Sequence, residues 1–105
     1  MADNMKIRAQ LKGNITEVKL LMSHPMETGR RKNDAGEIIP AHFVQQVTAF
    51  LNENMVLEAQ WGAGISKNPY LTFRLKNAQL GDKVTLTWLD NRGESVTQSV
   101  MVTQA

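Results

Sequence analysis

Apolar and polar residues alternate along most of this chain with a period of two. Between residues 6 and 12, Ile7, Ala9 and Leu11 alternate with charged and amide side chains. Successive side chains of a strand point to opposite faces, so this pattern predicts half-buried β-strands. The same reasoning predicts strands over residues 6–12, 15–22, 42–51, 55–61, 70–76, 83–88 and 95–103.

Turn-forming residues separate these segments. Gly13-Asn14, Asn52-Glu53-Asn54, Gly81-Asp82 and Asp90-Asn91-Arg92-Gly93 each stand between two alternating runs, and the glycine-rich residues 62–69 predict a loop. The chain shows neither a helical period of 3.6 nor an internal repeat. Seven closely spaced strands predict an all-β, antiparallel β-sandwich, with a small closed barrel as the alternative.

Residues 23–43, SHPMETGRRKNDAGEIIPAHF, interrupt this regularity and contain both histidines. The cations Arg30, Arg31 and Lys32 follow Gly29 and precede further turn-forming residues. The segment therefore predicts a long excursion with a basic turn at its tip. Rigid scaffolds carry many of their contacts on loops, so we expect function here more than elsewhere.

Several apolar side chains fall on the polar face of a predicted strand. They are Leu21, Val44, Phe50, Leu89 and Met101, which one sandwich would leave partly exposed. Tyr70 also lies on the polar face of its strand, beside a loop, whereas Trp61 is expected in the core. We expect the exposed members of this set to contact a partner, because aromatic and apolar residues are enriched at interfaces.

Composition narrows the possible chemistry. The 105 residues, 42% of them hydrophobic, predict a single domain spanning 1–105. A net charge of +2 indicates only a mild preference for anionic partners. Without cysteine the chain has no disulfide, thiolate metal site or cysteine nucleophile of its own. The sequence contains no export signal and no membrane span, which taken by itself indicates the cytoplasm.

No catalytic, cofactor or metal site is predicted. His24 and His42 match no strong metal-ligand spacing and are expected to have structural roles, and no nucleophile elbow or phosphate-binding loop is present. Two interpretations of residues 29–32 remain open. They form a solvated turn, or the two guanidinium groups bind an anion, in which case the chain could be an autonomous oxyanion-binding domain. Nucleic-acid binding is not expected, since most aromatic residues are assigned to the core.

Four segments of the chain resemble the SoxZ family. They are HPMETGRRK from His24, GEIIPAHF from Gly36, WGAGISKNPY from Trp61 and GDKVTLTWLDNRGES from Gly81. The resemblance implies an immunoglobulin-like β-sandwich that is the non-catalytic subunit of the SoxYZ sulfur-carrier complex of thiosulfate oxidation. It implies a heterodimer with SoxY, whose C-terminal cysteine carries the sulfur substrate, and through that complex contact with other thiosulfate-oxidation enzymes.

The resemblance also changes the expected location. It implies export to the periplasm together with a partner that bears a twin-arginine signal, in place of the cytoplasm. It transfers no catalytic residue to this chain. The candidate contacts with a partner or an anion therefore come from the residue patterns and are Arg30, Arg31, Lys32, Leu21, Phe50 and Tyr70. Open strand edges further predict self-association when the partner is missing.

Overall fold

The computed structural model describes residues 5–62 and 64–105, which form strands, turns and loops without a helix. The described strands are β1 (Met5–Lys12), β2 (Ile15–Met22), β3 (Val44–Leu51), β4 (Asn54–Gln60), β5 (Tyr70–Lys76), β6 (Lys83–Asp90), β7 (Ser95–Met101) and β8 (Thr103–Gln104). They form two sheets of order β5-β2-β1-β8 and β4-β3-β6-β7. Among these residues no helix is long and apolar enough to cross a membrane.

The predicted all-β sandwich is confirmed, and the barrel alternative is wrong. Two separate sheets pack face to face, because the apolar members of each alternating run lie on the inner side. The fully buried centre includes Val18 and Leu20 from one sheet and Val47, Val84 and Leu86 from the other. Trp61 packs against this core and is partly buried, as predicted.

Val44 is an exception to the predicted face assignment. The sequence placed it on the outer face with Phe50, yet it is fully buried. The cause is an irregularity in the β3–β6 register, where Val44 faces Asp90 and Gln46 faces Leu89. This β-bulge adds one residue to β3 and reverses the alternation, so Val44 joins the core.

The last predicted strand, residues 95–103, divides between the two sheets. Buried Val102 exchanges backbone hydrogen bonds with the turn at Gly81 and Asp82, and this interrupts the strand after β7. The following two residues pair with β1 in parallel orientation. The sandwich is therefore antiparallel except at this short strand, which ties the chain end to the opposite sheet.

Candidate functional site

The loop between β2 and β3, residues 23–43, forms an arm. The turn at the tip of this arm comes directly after the three basic residues in the sequence. The Asn33 side-chain oxygen accepts the backbone N–H groups of Ala35 and Glu37, and the Gly36 N–H donates to the Asn33 carbonyl. Lys32 pairs with Ile38 just below this turn. The predicted basic tip is thus misplaced: asparagine and a glycine at φ 79° make the turn, and the cations lie on the arm leading to it.

Arg31 is already paired with a carboxylate. Its Nη2 and Nε atoms donate to Glu27 at 2.6 and 3.0 Å, a two-pronged guanidinium–carboxylate contact. The hydrogen bond from Arg31 is the main reason that the pKa of Glu27 lies below its ordinary value. An incoming anion would have to displace Glu27, which leaves Arg30 and Lys32 as the exposed cations of the arm that lack a carboxylate among the described residues.

The base of the arm holds a cluster of two histidines and one aspartate. His24 Nε2 and His42 Nε2 lie 3.2 and 2.8 Å from the same oxygen, Oδ2 of Asp90. The two imidazole rings meet edge to face with centroids 4.6 Å apart, and His24 also packs against the buried Trp88 ring. Asp90 is only 1% exposed. The cluster therefore joins both ends of the arm to the end of β6.

Asp90 accepts hydrogen bonds at both of its oxygens. Oδ1 accepts the backbone N–H groups of Arg92 and Glu94, at 3.0 and 2.9 Å, while Oδ2 faces the two histidines. Burial would raise the pKa of Asp90, but hydrogen bonds from His24, the Glu94 backbone, His42 and the Arg92 backbone outweigh it and lower the pKa. The carboxylate is thus held ionised, and it can only accept, so both ring nitrogens must donate.

The same three residues offer ligand atoms within 4.8 Å of one another, close enough to surround a metal ion. The hydrogen bonds of His24 argue for a different use. Its Nδ1 accepts the Met26 backbone N–H at 3.1 Å, so the ring proton sits on Nε2 and points at Asp90. A nitrogen that carries a proton has no lone pair for a metal. The geometry is that of a satisfied buried carboxylate.

Two asparagines complete the base of the arm. Asn91 donates to the Ala41 carbonyl, and its side-chain oxygen accepts the Phe43 backbone N–H. Asn68 exchanges hydrogen bonds with the backbone of His24 through its side-chain oxygen and its N–H. These contacts bring together, at one end of the sandwich, residues from all four segments that carried the family resemblance.

The other predicted contact residues lie elsewhere and do not converge. Leu21 and Tyr70 face each other on the outer side of the β5-β2-β1 strands and are 42% and 61% exposed. Phe50 is half-buried on the outer side of the second sheet, opposite the exposed Met55. The six predicted residues thus fall on three surfaces: two sheet faces and the arm.

Asp90 was missed as a site residue. Its neighbours Asn91, Arg92 and Gly93 led to its interpretation as a turn residue, which is correct for its backbone and its Oδ1 atom. The sequence did contain a signal for this role. Asp90 continues the alternation of Val84, Leu86 and Trp88, which places it on the core-facing side of the strand. A carboxylate at such a position needs buried donors, and the two histidines were the candidates.

Comparisons with known proteins give the family and support the fold. A family of proteins described as "Sulphur oxidation protein SoxZ" matches residues 5–101. No curated protein matches the chain significantly. The crystal structure of the hypothetical protein PH1083 from Pyrococcus horikoshii OT3 is similar with a TM-score of 0.67 and 14% sequence identity, over 94% of this chain and 87% of that one. At this identity the likeness concerns the fold.

Proposed function

The chain belongs to the SoxZ family of sulphur-oxidation proteins, and from that premise we propose that it is the non-catalytic subunit that supports a SoxY-type carrier in thiosulfate oxidation. The match over residues 5–101 carries this proposal. The composition agrees with it: a chain without cysteine has no thiol to hold a sulfur substrate, so the partner must supply the thiol. We further propose that the complex works in the periplasm.

The outer side of the β4-β3-β6-β7 sheet suits a lasting partner. We call it the hydroxyl face, because Thr85 bonds Ser99 and Thr87 bonds Thr97, each at 2.9 Å, between the neighbouring strands β6 and β7. Phe50, Met55, Leu89 and Met101 stand around these hydroxyls, and Met101 is 61% exposed. Stable interfaces are depleted in charge at their centre and enriched in aromatic residues and methionine. The hydroxyl face has this composition.

Mixing the chain with a SoxY-type subunit tests the proposal. Light scattering after size exclusion should find a one-to-one complex. Met55→Asp with Met101→Asp should weaken that complex at least tenfold, since each buries a carboxylate in the interface. Leu80→Asp is a matched control, because Leu80 is similarly exposed, at 54%, and lies in a turn outside this face. A chain that forms no complex would overturn the assignment, and equal losses in both variants would overturn the face.

Catalysis gives a second test. The purified chain should not turn over thiosulfate or sulfite, because among the described residues no serine or threonine hydroxyl is hydrogen-bonded to either histidine and the sequence contains no thiol. Turnover that persists after rigorous removal of partner proteins would contradict the non-catalytic role. The alternative, an autonomous oxyanion-binding domain, is not favoured because Arg31 already holds Glu27.

The isolated chain is expected to self-associate. The edge strands β4 and β7 border the hydroxyl face, and open strand edges accept further strands when the intended partner is missing. Addition of the carrier subunit should convert such oligomers to the one-to-one complex. Isolated protein that stays monomeric at high concentration would contradict this part of the proposal and leave the heterodimer untouched.

A further inference from the structure

The outer side of the β5-β2-β1 strands, which we call the basic face, gathers half of the chain's cations. Its exposed cations among the described residues are Lys6, Arg8, Lys12, Lys19, Arg74 and Lys76. With one carboxylate, Glu17, the face has a formal charge of +5. The rest of the chain has six cations and nine carboxylates, a formal charge of −3. The fold therefore separates charge that the composition shows as nearly balanced.

The arrangement of these charges is not explained by folding. Arg8 faces Lys19 directly across β1 and β2, and like charges in that position oppose strand pairing. Glu17 offsets part of the repulsion, with Lys12 at 3.4 Å, Lys19 at 3.6 Å and Arg74 at 4.0 Å. Although partial burial raises its pKa, Lys12 and Lys19 together hold the pKa of Glu17 below its ordinary value. One carboxylate among six cations leaves a net attraction for an anionic ligand.

Two shallow depressions on this face combine apolar surface with cations. The first, of about 240 Å³, is bordered by Leu21 and Tyr70 together with Lys6, Arg8 and Lys19. The second, of about 520 Å³, has Ile15 beside Lys12, Arg74 and Lys76. Tyr70 and Leu21 are thus an exposed apolar corner surrounded by positive charge. A purely solvated face would need no such corner.

We propose that the basic face is a transient docking surface for an acidic protein segment that places an apolar side chain against Leu21 and Tyr70. Complementary charge steers such a partner and raises its association rate, while the corner supplies a desolvated anchor. Three strands about 4.8 Å apart, which share a length of seven residues set by β5, cover about 15 by 23 Å. That footprint lies at the low end of specific interfaces, as transient contacts do. The surface is separate from the hydroxyl face and does not depend on the proposed function.

A protein ligand fits this face better than a nucleic acid or a membrane. Strand binders of nucleic acid use several aromatic platforms along a basic groove, and Tyr70 is the one aromatic side chain on this face among the described residues. A membrane-surface site needs a broad apolar area to insert into the lipid, whereas two aliphatic residues, Leu21 and Ile15, stand separately here.

A peptide titration of the whole chain, followed by amide NMR shifts, tests the proposal. The probe is a twelve-residue Glu/Asp peptide with one Leu and one Phe, and the reference peptide has Ser at both positions. We expect shifts on β1, β2 and β5, at least threefold tighter binding of the apolar peptide, and about tenfold weaker binding on going from 25 to 150 mM NaCl. Tyr70→Ser should remove the preference for the apolar peptide.

Two double variants that reverse charge provide a further test and its matched control. Lys6→Glu with Arg8→Glu should weaken binding at least tenfold, and should not destabilise the fold because the new carboxylate at position 8 attracts Lys19 instead of repelling it. Lys32→Glu with Lys83→Glu changes the net charge equally on other surfaces and should weaken it less than threefold. Equal effects of the two pairs, or shifts outside the face, would overturn the proposal. So would tighter binding of a 20-base-pair DNA duplex, or of phosphatidylserine vesicles, at 150 mM NaCl.

Discussion

Replacing Asp90 by asparagine should remove much of the order at the base of the arm. The change keeps the side-chain shape, but four donors converge on the two carboxylate oxygens. An amide presents one acceptor oxygen and one donor nitrogen, so two of those donors lose their acceptor. A buried donor without a partner costs about 1–3 kcal/mol. Since His42 retains some contact with water, we expect a loss of about 2–4 kcal/mol.

Urea unfolding measures this loss. With a denaturant slope of about 2 kcal/mol/M, the middle of the usual range, the midpoint should fall by about 1–2 M while the slope stays unchanged. Asp34→Asn is the matched control, because Asp34 is exposed and makes no side-chain hydrogen bond within the described residues. Its midpoint should not move. A loss in Asp90→Asn below about 1 kcal/mol would refute the view that the carboxylate organises the arm.

Lowering the pH should reduce the difference in unfolding free energy between the unchanged protein and Asp90→Asn. Because the pKa of Asp90 is lowered on folding, the unfolded chain binds this proton more readily than the folded one, and stability rises with pH in that range. The stabilisation is fully present above the unfolded carboxyl pKa of about 4 and is lost as the pH falls through the lower folded value. Asparagine does not titrate. If the difference in unfolding free energy stayed constant from pH 7 to pH 2, the conclusion that Asp90 is ionised in the folded protein would be contradicted.

Three other changes test the arm. Arg30→Ala with Arg31→Ala should alter stability by less than about 1 kcal/mol, since both side chains are exposed, and urea unfolding would reveal a larger effect. Gly29→Ala should destabilise by about 1–2 kcal/mol in the same assay, because φ is 85° and the new Cβ would lie 3.1 Å from the Ala41 Cβ. Asn91→Ala should speed amide hydrogen exchange in residues 41–43 but not in the core of β2, and unchanged exchange would contradict its clamping role.

The strands and the core residues could be predicted from the sequence because they depend on local alternation. Each apolar side chain in a period-two run must leave water, and one face of a strand provides the place. This local rule identified Val18, Leu20 and Leu86 as buried and Leu21, Tyr70 and Met101 as exposed. It also found the turn at Asp90–Gly93, since turn residues act through their own backbone.

The features that the sequence did not reveal depend on which strands lie side by side. The β3 bulge that buries Val44 is set by its register with β6, and neither strand contains that information by itself. His24, His42 and Asp90 lie up to 66 positions apart and meet only because the arm folds back onto the β6–β7 turn. The basic face arises in the same way, because β5 joins β2 and β1 after a long excursion. Alternation determined the faces of single strands, and the tertiary pairing of those strands decided which charges became neighbours.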